Sequence, residues 1–369
     1  ASQTTPPPPP APGMPPRIQL TRLPTSNPTP VSTPIPTRIR VVKSPSHVVF
    51  EVFALAWAEL LDIPVAAHTV ACWPSAEYSA LKAGVERVAQ DVGLEHCVHR
   101  ALNRPQILVQ EFIDGPVLLL RPNLQGLSCC DAGGTLHCRG PLEACRKPTD
   151  CALAGLGALV LLNILLNNCD SIPCDDLWSR NNPGNLGNVI LGRTPGPTGR
   201  PWLYAIDLAV TTLDPERYPV QYTAYCQRVR AFLTSILPLF GGVDPPGPSA
   251  KEPLDLVRAE AQLAANPYLR SILTAVFGPD LAAALGAGAP NPHVCVARGL
   301  VATCQRLVGL GSTALLDLHH RVKELPEHDW EGVWAKGCAS IHTQYLVGMV
   351  DLVADSLGQA GLEPLFVSA

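Results

Sequence analysis

Charge is scarce in this chain. Only 16% of its 369 residues are Asp, Glu, Lys or Arg, and a net charge of -4 leaves no basic surplus to neutralise a phosphate backbone, so no nucleic-acid partner is expected. Long apolar runs are also missing. None reaches the ~18 residues that a bilayer requires, and no membrane span is expected. The first five residues, Ala1 to Thr5, and the prolines behind them form neither a basic nor an apolar segment, so no secretory signal is read and the cytoplasm is the expected location. There is no HExxH pattern, no paired CxxC and no internal repeat. The thirteen cysteines are odd in number and irregularly spaced, and most are expected to be reduced, buried thiols.

Proline and aliphatic residues are plentiful by contrast. Residues 1–36 hold 13 of the 39 prolines, and proline removes backbone donors and fixes φ, so a disordered, partly polyproline-II tail is expected there. Pro6 to Pro10 fit the aromatic grooves of SH3 or profilin-type partners; the alternative is a solvated linker. Hydrophobic residues at 47% suffice for a sizeable core, and the length has room for one large two-lobed domain or two ordinary ones.

The densest chemistry lies in residues 156–210. Gly157 to Asn168 is a twelve-residue apolar run, too short for a bilayer, and reads as a buried helix ending at Asn167-Asn168-Cys169-Asp170. A polar loop follows, in which Asn182, Asn185 and Asn188 recur every third residue. Val189-Ile190-Leu191 and Trp202 to Ile206 read as two short strands around a turn at Pro195-Gly196-Pro197, and the second strand ends on Asp207. The order is carboxylate, loop, amide, hairpin, carboxylate. Phosphoryl transfer uses such a set: one carboxylate to orient a hydroxyl, and an amide oxygen with a second carboxylate to hold Mg²⁺, which prefers hard oxygen ligands.

These segments, NNCDSIP, NPGNLGNVIL and YAIDLAVT, resemble the catalytic stretch of the actin-fragmin kinase family. The resemblance implies an α+β, two-lobed protein-kinase-like fold, with a small, mostly β N-lobe and a larger helical C-lobe. It also implies ATP and Mg²⁺ as cofactors, Asp170 as the catalytic aspartate, and Asn188 and Asp207 as metal ligands, with Asn185 as the rival amide. VVKSPSHVVFEVFALAWAELLDIPV is similar to the family's strand, turn and helix, which makes Lys43 the phosphate-holding lysine and Glu51 its partner. By the same resemblance, residues near 110–115 are the hinge, where backbone groups at Glu111 and Ile113 bond adenine. Two features depart from the pattern. Ser171 stands where the family usually has Arg after the catalytic aspartate, and no glycine lies between Ile18 and Arg40 to cover phosphates.

The remaining chain divides accordingly. Residues 37–115 are expected as the N-lobe, with a strand ending at Lys43, a helix from His47 to Leu61, a strand around Val70, an amphipathic helix from Ser75 to Val92 and a strand from Ile107. Residues 116–150 read as a Cys- and Gly-rich insertion with Cys129, Cys130, Cys138 and Cys145. Residues 151–369 read as the helical lobe, with helices over 218–239, 253–265, 267–276, 293–308 and 337–357 and a loop at Gly309 to Ser312. His137 beside Cys138, and His319, His320 and His328 among acidic residues, read as loop and helix-end residues, with metal binding as the alternative.

The leading functional expectation is a protein kinase moving the γ-phosphoryl of ATP to Ser or Thr, on actin or an actin-associated protein. The alternatives are a pseudokinase or binding scaffold, which Ser171 and the missing glycines favour, and a lipid kinase, for which no basic headgroup patch is visible.

Overall fold

The computed structural model describes residues 40–43, 48–118, 152–174, 176–178, 184–193, 201–241, 253–279, 291–326 and 329–365. The Pro-rich tail, the cysteines of the 116–150 insertion, the 195–197 turn, Asn182 and His328 lie outside them. The fold is mixed α/β. Its first sheet has the order β1-β3-β2, from β1 (Arg40–Lys43), β2 (His68–Cys72) and β3 (Gln106–Glu111), and both pairings are antiparallel.

Around this sheet stand α1 (Val48–Leu60), α2 (Ala76–Val92) and α3 (Glu95–Leu102). The expectation of a mostly β N-terminal region is therefore corrected: strands of 4, 5 and 6 residues stand beside helices of 13, 17 and 8. Ser75 caps α2 by accepting the Tyr78 amide, and Gly93 closes it at φ 71°. The short α3 has no side-chain cap, and its eight residues give no long period to read.

At the centre of the core is α4 (Ala152–Leu166), whose 15 residues are all buried. A helix apolar all round must be covered on every side. Much of that cover comes from α8 (Pro292–Lys323), reached through α5 (Pro219–Thr234), α6 (Pro253–Ala265) and α7 (Pro267–Phe277). The α4 and α8 backbones meet where side chains vanish. A Cβ on Gly157 would lie 2.0 Å from the Val296 carbonyl oxygen, and one on Gly299 1.9 Å from that of Ala154. The chain closes with α9 (Val333–Ala339) and α10 (Thr343–Gln359).

Helical boundaries differ from expectation in several places: α4 starts at Ala152 and not at Gly157, and α5 ends at Thr234 and not at 239. The loop read at Gly309 to Ser312 is a kink inside α8: helix continues on both sides, and Gly311 alone leaves helical geometry at φ 73°, ψ 173°. The helix expected over 337–357 is instead two, parted at Ser340 to His342. By length and composition α8 also meets the membrane-span criterion that the sequence was expected to miss, but 67% of its most apolar stretch is buried in the fold, as in a core helix. Of Cys72, Cys169, Cys174, Cys226, Cys295, Cys304 and Cys338, four are buried.

Candidate phosphoryl-transfer site

The site begins where α4 stops. Asn167 adopts a left-handed φ of 47°, its amide donates to Ile164 O (3.1 Å), and the Asn168 amide donates to Asn163 O (2.9 Å). This is a Schellman cap with Asn in the place usually held by Gly. Three further bonds hold it: Asn167 Nδ2 donates to Thr211 O (3.0 Å), the Thr211 backbone amide to Leu166 O (2.8 Å), and the Tyr225 hydroxyl to Ile164 O (2.7 Å). The loop that leaves the cap turns at once, because Asn168 Oδ1 accepts the Asp170 amide at 3.2 Å. Asp170 is thus placed four residues beyond the fixed end of α4 and stays exposed, while Ser171 behind it is fully buried with its hydroxyl unpartnered.

The loop returns to Asp170 from the other side. The Asn185 amide donates to Ser171 O (3.1 Å), and a 3₁₀ turn over Leu186–Asn188 leads into β4 (Val189–Arg193). Asn188 Nδ2 donates to Asp170 O at 2.8 Å and to Asp170 Oδ2 at 3.3 Å. Asn185 Nδ2 donates to Asn188 Oδ1 at 3.1 Å, while Asn185 Oδ1 accepts the Gly187 amide at 3.0 Å. Of the two candidate amides, Asn188 touches the carboxylate and Asn185 touches Asn188.

β4 pairs antiparallel with β5 (Pro201–Ala205), from Val189 opposite Ala205 to Arg193 opposite Pro201. One step further the Ile206 amide donates to Asn188 O at 2.8 Å, so the hairpin sets Asp207 directly after the residue aligned with Asn188. Asp207 also has a positive φ, 51°, which Asp tolerates better than most residues. Its carboxylate is 57% exposed, and Lys43 Nζ donates to Oδ1 at 2.5 Å.

Lys43, at the end of β1, is also in ion-pair contact with Glu51 in the first turn of α1. Glu51 is buried at 5% exposure. Burial pushes its carboxyl above the ordinary range; the Lys43 charge opposes that rise and the Asp207 charge adds to it. Gln110 Nε2 donates to Glu51 Oε1 at 3.3 Å. Gln110 was missed in the sequence, where the signal was an uncharged polar residue inside the apolar run of β3. The structure therefore gathers two groups, Lys43–Glu51–Asp207 and Asp170–Asn185–Asn188, joined through the backbone bond between Asn188 and Ile206.

The segment expected as the hinge lies beside the hairpin. After β3 the chain runs along β4, with Val117 bridged to Ile190 and the Leu191 amide donating to Pro116 O at 2.9 Å. Glu111 spends its own amide on Ala67 O (2.7 Å). His319 Nε2 faces Cys338 O at 3.1 Å, and His320 Nδ1 lies 3.6 Å from Glu324 Oε1. No group of three His, Cys, Asp or Glu side chains suited to a metal occurs among the described residues.

With Lys43, Asp170, Asn188 and Asp207 placed in that order along one chain, the comparison with known families decides the matter: the family described as actin-fragmin kinase, catalytic, matches residues 35–243. The chain belongs to this family. The matched span contains every residue of the two groups above and stops before α6. A kinase-like function follows from membership. No curated protein matches the chain.

Proposed function

We propose that the protein is an ATP- and Mg²⁺-dependent protein kinase of two-lobed form that transfers the γ-phosphoryl group to Ser or Thr, on actin or an actin-associated cytoplasmic protein. What supports this most is the position of Lys43, held between a buried Glu51 and an exposed Asp207. A lysine fixed that way is a ready donor to the α- and β-phosphates. Asp170, exposed at the end of its loop and steadied by Asn188, orients the acceptor hydroxyl and takes its proton. Backbone groups at Glu111 and Ile113 would bond adenine.

The donors present suit Mg²⁺. Asp207 offers an exposed carboxylate, and the Asn188 amide oxygen has one of its two lone pairs engaged by Asn185. Mg²⁺ is commonly held by one or two carboxylates together with the phosphates of its nucleotide, so a cage of three acidic side chains is not needed. When bound, the ion neutralises phosphate charge; Asn188 and Asp207 are the residues that would hold it.

Ser171 favours a second reading, a scaffold that binds nucleotide or a partner without transfer. The family usually has Arg there, and the buried serine hydroxyl replaces no guanidinium. The Pro-rich tail, as a ligand for SH3 or profilin-type partners, suits either reading. One experiment separates them: thermal-shift titration of ATP with and without Mg²⁺, followed by phosphate transfer to actin, on wild type, Asp207→Ala and Asp170→Asn. The kinase reading expects a Mg²⁺-dependent shift that Asp207→Ala loses, and transfer that Asp170→Asn loses while still binding ATP. Binding without transfer in the wild type selects the scaffold.

A further inference from the structure

Asn185 and Asn188 lie three residues apart, and either side chain supplies the hard oxygen that Mg²⁺ takes. Their hydrogen bonds divide the work. The Gly187 N–H can only donate, so the Asn185 atom facing it at 3.0 Å is the oxygen. The other end of that amide is then the NH₂ group, and it faces Asn188 at 3.1 Å. The Asn188 atom that receives it is an oxygen, and this turns the Asn188 NH₂ toward Asp170 O and Oδ2, at 2.8 and 3.3 Å. A one-way chain of donors runs from the Gly187 backbone through Asn185 and Asn188 to Asp170. Its start is fixed by the 3₁₀ turn and by the Asn185 amide on Ser171 O.

We infer that Asn185 is a positioning residue that, opposite Asp170, holds the oxygen end of the Asn188 amide at the metal position. The inference rests on the kinase reading above and adds a residue to it. Asp170 favours the same orientation, since two of its oxygens accept the Asn188 NH₂ group. The Asn188 oxygen, in turn, has the Asn185 donor as its partner. An acceptor in place of that donor would face the Asn188 oxygen directly, and the amide would have to swing away, carrying its oxygen off the metal position.

Asn185→Asp tests this, because it keeps the shape and the cap on Gly187 but replaces the donor facing Asn188 Oδ1 with an acceptor. The measurement is the Mg²⁺ concentration at half-effect in the ATP thermal shift, for wild type, Asn185→Asp and Asn185→Ala, with the ligand-free melting temperature as the folding control. A positioning role expects both variants to need more Mg²⁺, by about 10–100-fold as for other residues that orient a metal ligand, with Asp worse than Ala and Mg²⁺-free ATP binding unchanged. If Asn185 were itself the ligand, the order would reverse, since a carboxylate holds Mg²⁺ better than an amide does. That order, or no change in either variant, overturns the inference and leaves the kinase reading intact. Should Asn185→Asp not fold, Asn185→Ala decides alone: an unchanged Mg²⁺ requirement overturns the inference. A wild type with no Mg²⁺-dependent shift fails the kinase reading and the inference with it.

Discussion

Glu51 holds its charge where burial makes charge expensive. Its carboxyl is raised first by desolvation, and Lys43 only partly restores it. A carboxyl whose pKa is higher folded than unfolded contributes stability that is complete below its unfolded value near 4.5 and is lost as pH rises through the folded value. The residue thus serves Lys43 at the expense of the fold. Glu51→Gln removes the buried charge and keeps the shape, so its melting temperature should fall less than that of the wild type as pH climbs from 4.5 through neutrality. At neutral pH the variant should be equally stable or slightly more stable. Lys43, left to Asp207 alone, should hold phosphate less well, with ATP affinity down about tenfold, the worth of roughly one charge-assisted hydrogen bond. Melting curves across pH beside ATP titrations check both halves. Parallel pH profiles for the two proteins would show that Glu51 does not titrate differently in the fold.

At the scale of elements, the end of α4 governs the site. Asn167 supplies two things there: a backbone that accepts φ 47° and a side chain that bonds Thr211 O. Asn167→Ala loses both and should cost about 2–3 kcal/mol, from left-handed strain of about 1–2 and a hydrogen bond of about 1. Asn167→Gly recovers the backbone share and should cost only about 1 kcal/mol. Denaturant unfolding of the two variants measures the difference, and equal losses would refute the cap. The helix end was legible in advance, since a largely apolar run gives way there to Asn-Asn-Cys-Asp; the cap that makes it was not. The hairpin was legible as well, from two short apolar runs flanked by Asn188 and Asp207. The division of labour between Asn185 and Asn188 was not, because a three-residue spacing places either amide near Asp170 and only the Gly187 amide distinguishes them. The kink in α8 was misread as a loop for a related reason: glycine marks a break in geometry, and apolar contacts on both sides decide whether the helix resumes. Gln110 escaped notice because one polar residue in a strand signals a buried partner without naming it.

On the scale of the molecule, the family match ends at residue 243, yet the packing does not end there. α4 carries the loop that bears Asp170, and it lies against α8, which begins at Pro292. The approach is so close that a methyl group on Gly299 would meet the Ala154 carbonyl at 1.9 Å. α10 adds a second layer on both α4 and α8, and the Tyr345 hydroxyl reaches Ile164 O, a carbonyl of the cap itself, at 3.4 Å. The helices beyond the matched span are therefore part of the catalytic core's support. A fragment of residues 35–243 keeps every candidate site residue but strips α8 and α10 from a helix with no polar face. It should aggregate or unfold without a cooperative transition, and it should bind no nucleotide. Gly299→Ala in the full chain is the milder version: the two helices must part by more than a bond can absorb, for a loss of about 1–3 kcal/mol typical of overpacking, with weakened ATP binding as the Asp170 loop shifts. Circular dichroism melts of the fragment and the variant distinguish the cases. A fragment that melts cooperatively and binds ATP would mean that α6 to α10 are an attached module, and the close contact of Gly157 and Gly299 with the facing backbone would then have no bearing on the site.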